Sequence, residues 1–109
     1  MNAITIDLEL YRTPGARVYT GRDRGKDVRE KSRIDELEVE VDKIIISVPE
    51  DVYSVNPSFL EEFLENVVTK LGRIGFYQKF NFETKGAYKI DEDLSAAVDR
   101  ILRTRNALI

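Results

Sequence analysis

The stretch "KIIISV", Lys43–Val48, decides how this chain is read. Three isoleucines and a valine, with only Ser47 among them and Pro49 at the end, make a near-continuous hydrophobic run of strand length. A half-wet strand would alternate, so continuity predicts a central strand covered on both faces. A central strand needs neighbours, and two alternating segments can supply them. In "ITIDLELY", Ile4–Tyr11, apolar Ile4, Ile6, Leu8 and Leu10 are separated by Thr5, Asp7 and Glu9. In "KFNFET", Lys79–Thr84, Phe80 and Phe82 alternate with polar residues. Each reads as a strand with one buried face.

The connections set the class. "RTPGAR" after the first strand puts Pro14 and Gly15 at the centre of a type II turn. "ARVYT" then returns as a short strand, so residues 4–20 form a candidate N-terminal hairpin. "GRDRGKDVREKSRIDELE" is mostly charged, and Val28, Ile34 and Leu37 make only a broken stripe, which suits one helix lying on the surface. "PEDVYSVNP" is a long loop. In the helix after it, Phe59, Leu60, Phe63, Leu64, Val67, Val68 and Leu71 recur at helical spacing, and Gly72 stands where a left-handed residue ends such a helix. "RIGFYQ" suits a short helical turn. "IDEDLSAAVDRILRTRNALI" is a last amphipathic helix, acidic at its start and basic at its end, as the helix dipole favours. The expectation is a single α/β domain spanning residues 1–109. It has a small mixed sheet of three to four strands, an N-terminal hairpin and about three helices on its faces.

Composition narrows the function. The 109 residues contain no cysteine and no histidine, which removes thiolate ligands, the commonest metal ligand and the usual neutral-pH base. "GRDRGK" lacks the spacing of a phosphate loop. "Glu83-Thr84-Lys85", with Asp51, loosely matches a nuclease acid-x-Lys pattern, but such pairs arise by chance in a chain this charged. The reading is therefore non-enzymatic, with no catalytic residues, metal or cofactor. The N-terminus lacks a basic segment and a long apolar run, and no stretch is apolar enough to span a bilayer, so a cytoplasmic protein without membrane contact is expected.

Charge is unevenly distributed under a net −3. Residues 11–34 carry eight basic groups against Asp23, Asp27 and Glu30, whereas residues 35–65 carry ten acids against Lys43 alone. Complementary halves of this kind suit self-association or pairing within one chain. The basic segment 12–33, with Tyr11 and Tyr19 among its arginines, is also a candidate nucleic-acid or nucleotide contact, above all at Arg17, Arg22 and Arg24. The acidic pI of about 5.1 weighs against nucleic acid.

Element order and junction residues resemble the STAS-like domains of unknown function, bacterial and phage proteins related to the anti-sigma-factor-antagonist fold. The resemblance rests on "TPGAR", "TGRDRGKDVRE", "IIISV" and "NPSFLEEF", with Ser58-Phe59-Leu60 its best match, and it spans nearly the whole chain. It implies a regulator that docks on a protein partner, such as a histidine-kinase-like ATPase, through the loop and the start of the second helix. Tyr53, Asn56, Ser58, Glu61 and Glu62 lie there. In the antagonists this loop ends in Asp-Ser-Ser-Gly with one serine phosphorylated, and the matching stretch here is Asn56-Pro57-Ser58-Phe59. Ser58 is thus the candidate phosphoacceptor if the alignment falls there, and the site is lost if it falls on Pro57. Structural accounts compete: Ser58 and Glu61 fit a capping box, or Asn56 caps the helix with Pro57 at its first position.

Overall fold

The computed structural model describes residues 2–107, with side chains described to residue 104. In chain order the elements are β1 (Ala3–Asp7), a 3-10 turn (Leu8–Tyr11), β2 (Val18–Tyr19), α1 (Arg22–Ser32), α2 (Ile34–Glu40), β3 (Lys43–Val48), β4 (Ser54–Val55), α3 (Pro57–Lys79), β5 (Phe80–Thr84) and α4 (Asp91–Ala107). The last two residues of the expected final helix lie outside the described ones. The α/β class is as expected.

β3 is the central strand, paired with β1 on one side and β5 on the other, and both pairings are parallel. Register puts Ile4, Ile44 and Phe80 in one row and Ile6, Ile46 and Phe82 in the next. Ile44, Ile46 and Val48 are fully buried, whereas Ala3, Thr5, Lys43, Asn81 and Glu83 on the opposite face are exposed. The helices therefore cover one face only. Right-handed crossovers explain this: β1 to β3 and β3 to β5 step in the same direction, which puts both crossovers on one side. The expectation that β3 is covered on both faces holds only in part: on the far face Lys43 is exposed, Ile45 half-buried and Ser47 buried.

The expected hairpin is also corrected, and the mixed sheet with it. Asp7 accepts from the Glu9 N–H at 3.0 Å and caps the 3-10 turn, which carries the chain out of β1 before it can fold back. The Pro14–Gly15 turn does form, with Ala16 N–H donating to Thr13 O at 3.0 Å and Gly15 at φ 82°. But β2 then pairs in parallel with β4, Val18 against Ser54 and Tyr19 against Val55. Tyr19 is buried, and its hydroxyl donates to Leu8 O at 2.7 Å. Burial pushes the Tyr19 hydroxyl up to about 12, with nearby Arg12 pulling the other way.

Four α-helices replace the expected three, because Arg33 adopts left-handed angles (φ 59°, ψ 35°) and splits the surface helix into α1 and α2. α1 packs closely on α3 at Gly25, where a Cβ would sit 2.9 Å from Glu62 Cβ and would overlap the Phe59 carbonyl. α3 buries Phe59, Leu60, Phe63, Leu64, Val67 and Val68, as the spacing predicts. Gly72 interrupts it at φ 74°, ψ 176°, a region open essentially to glycine alone, and the helix resumes over 73–79.

Glu38 on α2 ties both parts of that broken helix. Its carboxylate accepts from Lys70 Nζ at 2.6 Å and Lys79 Nζ at 3.0 Å, and Lys79 also donates to the Glu38 carbonyl. Burial alone would raise the Glu38 carboxyl, but the two lysine bonds and charges outweigh it and hold it below the ordinary glutamate value. A carboxyl lowered in the folded state stabilises the fold above its unfolded value and loses that contribution as pH falls through the folded one. Glu38→Gln is expected to lower the unfolding free energy at neutral pH by about 1–3 kcal/mol and to flatten the acid limb of stability below pH ~4. Urea titrations across pH, run on both proteins, check both effects.

Candidate protein-contact surface

Three loops meet at the C-terminal end of the parallel strands, where open α/β sheets bind their ligands. The first is 12–20, the second 49–56, the third 85–89. Arg12 joins the first two. Its guanidinium makes a two-pronged pair with Asp51 at 2.6 and 2.8 Å and reaches Glu9 at 3.0 Å. The Arg12 side chain is 12% exposed. Hydrogen bonding from Arg12 holds the Asp51 carboxyl below the usual carboxylate range, with burial opposing it. The β2–β4 ladder continues the seam: Tyr53 N–H donates to Arg17 O at 3.0 Å, and Asn56 N–H donates to Tyr19 O at 2.8 Å. The third loop closes on the second, with Lys85 N–H donating to Val48 O at 3.1 Å. Gly86 lies so close to the Glu50 carbonyl that a side chain there would overlap it. Tyr88 Oη lies 3.2 Å from Val55 O and also donates to Asp93, and burial together with that bond pushes its hydroxyl up to about 12.

Each expected site residue can be placed on this frame. Tyr53 stands 67% exposed on the second loop. Arg17, also exposed, is brought beside it by the ladder, so two separately predicted patches share one surface. Asn56 is the cap of α3: its Oδ1 accepts from the Ser58 N–H at 2.9 Å and from the Ser58 hydroxyl at 2.8 Å. Of the two capping accounts, Asn56 with Pro57 at the first position is the one formed. Ser58 is half-buried, and its hydroxyl is committed to Asn56.

Glu61 and Glu62 turn away from the loop. Glu61 is 11% exposed in its side chain and lies between Arg22 at 3.3 Å and Arg100 at 3.1 Å. Glu62 faces Arg22 at 3.7 Å and Arg29 at 3.9 Å, and its carbonyl accepts from Arg29. Arg22, Glu61, Glu62 and Arg100 line a cleft of about 560 Å³ between α1, α3 and α4, together with Ile101. Arg24 pairs with Asp27 at 3.3 Å and donates to Thr13. Arg12, Arg22, Arg29 and Arg33 of the basic segment thus pair with acids of the acidic one within one molecule.

Lys89 goes unnamed in the sequence reading, and Lys85 enters it only within Glu83-Thr84-Lys85, not as part of this surface. Both are exposed and without an ion-pair partner among the described residues. No local pattern in "TKGAYK" singles them out, because only the contacts of Lys85, Gly86 and Tyr88 bring that loop to the others. Among the described residues no group of three or more acidic side chains is arranged to hold a metal ion, and no helix is long and apolar enough to cross a membrane. No family model matches the chain, and no curated protein or solved structure matches it.

The two capping residues differ in expected weight. Asn56→Ala leaves the first N–H groups of α3 without an acceptor and is expected to cost about 1 kcal/mol, within the range for helix caps. Ser58→Ala keeps that acceptor and is expected to cost less than half as much. Chemical denaturation of the two variants beside the parent checks the order.

Proposed function

We propose that this chain is a non-enzymatic, STAS-like regulatory domain that works by docking a protein partner on its loop surface. The observation that carries the reading is Tyr53. It is two-thirds exposed on a loop pinned by Arg12–Asp51 and by the β2–β4 ladder. Rigid, exposed aromatics beside arginines are favoured anchors of protein interfaces. The junction motifs "TPGAR", "IIISV" and "NPSFLEEF" support the family assignment, and a cytoplasmic site of action belongs to the same reading.

On this reading the contact residues are Tyr53, Asn56 and Ser58 with Arg17 beside them, and a kinase-like ATPase or another regulator is the partner class. Phosphorylation of Ser58 is compatible with the fold only if its hydroxyl leaves Asn56. Glu61 and Glu62 contribute by fixing α3 against α1 and α4. The rival nucleic-acid reading loses support from Arg22 and Arg24, because both arginines are already paired in the chain.

The test is co-purification from the native host with a tagged full-length chain, followed by reconstitution with the captured protein. Tyr53→Ala is expected to weaken binding of that purified protein at least about tenfold, as loss of an aromatic anchor does, with the fold intact by circular dichroism. Equal affinity of the parent and Tyr53→Ala for every captured protein would remove the loop surface from the account.

A further inference from the structure

We infer that the sheet face turned away from the helices holds a hydrated divalent cation, Mg²⁺ by its chemistry, between Asp7 and Glu83 beside Ser47. The inference goes beyond the docking reading and does not rest on it. Register sets Asp7 of β1, Ser47 of β3 and Glu83 of β5 in one row across the sheet. In the row before it, Ile6, Ile46 and Phe82 pack into the core under the helices. Side chains alternate along a strand, so Asp7, Ser47 and Glu83 all stand on the opposite face. They lie at the C-terminal end of the parallel strands, where open α/β sheets bind ligands.

Ser47 is the anomaly of that row. It is only 4% exposed, and its buried hydroxyl has no hydrogen-bond partner among the described residues. An unpaired buried hydroxyl costs its desolvation, which is why such groups are rare. Its neighbours across the strands are the two carboxylates. Asp7 commits one oxygen to the Glu9 N–H at 3.0 Å. Neither Asp7 nor Glu83 has an ion-pair partner among the described residues, although Lys85 stands two residues beyond Glu83. With adjacent strands about 4.8 Å apart, the two acidic residues stand about 10 Å apart at the backbone, with only a serine between them.

Carboxylates and a hydroxyl are hard oxygen donors, and the chain has no thiol or imidazole to favour a softer ion. Two carboxylates are too few to fill the large oxygen shell of Ca²⁺. They suit Mg²⁺, which gives up its waters reluctantly and is held by one or two carboxylates. A water of that shell gives the Ser47 hydroxyl the partner that the chain does not. The local sign agrees. In the strand ends, the loops and the first turn of α4, acids outnumber Arg17, Lys85 and Lys89 even after Glu9 and Asp51 are set against Arg12.

The experiment is amide NMR of the full chain, titrated with MnCl₂ at constant ionic strength and then with MgCl₂ in competition. Mn²⁺ is expected to broaden the amides of Asp7, Ser47 and Glu83 first and saturably, and Mg²⁺ to reverse the broadening. Asp7→Asn, which keeps an acceptor for the Glu9 N–H, and Glu83→Gln should each weaken Mn²⁺ binding at least about tenfold. Ser47→Ala should weaken it less than either. Glu40→Gln, at the end of α2 and towards the other end of the sheet, should stay within about twofold of the parent. No saturable broadening of this row at millimolar Mn²⁺ overturns the inference, as does an equal loss from Glu40→Gln. Broadening centred on residues 91–93 overturns it in favour of the acidic start of α4. On the parent chain alone, Mg²⁺ that fails to displace Mn²⁺ overturns it too.

Discussion

Arg12 holding both oxygens of Asp51 is the contact on which this surface depends. The two residues are 39 apart in sequence, and the pair joins the segment leaving β1 to the segment leaving β3. Neither segment has a neighbour in the three-stranded sheet at that point. A single exposed ion pair contributes little, but a two-pronged arginine that is itself mostly buried fixes geometry as well as charge. Once the seam is closed, β2 can lie along β4, Tyr19 can be buried, and Tyr53 must face outward.

Part of the basic segment is used internally: Arg22 and Arg29, with Arg100 of α4, hold Glu61 and Glu65 of α3 between α1 and α4. That arrangement uses part of the uneven charge along the chain in pairs within one molecule.

Much of the architecture was legible in the sequence. β3 is the central strand because a near-continuous β-branched run has few other uses, and α3 follows the spacing of Phe59 to Val68. Three features were not legible. A helix-turn-strand return and a hairpin look alike over residues 4–20, and the choice was made by Asp7 capping a 3-10 turn and by the distant strand β4. Arg33 carries no sign in sequence that it will adopt φ 59°. The two-sided covering expected of β3 is only partial because "ITIDL" and "KFNFET" already alternate, and their polar residues share the open face with Ile45. For the surface, Tyr53 and Arg17 could be named separately from sequence, but their adjacency needs the β2–β4 register, and Lys85 and Lys89 join them only through the folded loop.

The account stands on the claim that loops 12–20 and 49–56 form one cooperative unit held by Arg12 and Asp51. Amide hydrogen exchange on the parent chain and on Asp51→Asn tests it most directly, because local opening is read segment by segment. Both loops are expected to exchange faster together in the variant, by at least about tenfold at Ala16 in one and at Tyr53 and Asn56 in the other, while β1, β3 and β5 keep their protection. Faster exchange confined to 49–56, with 12–20 unchanged, would contradict it.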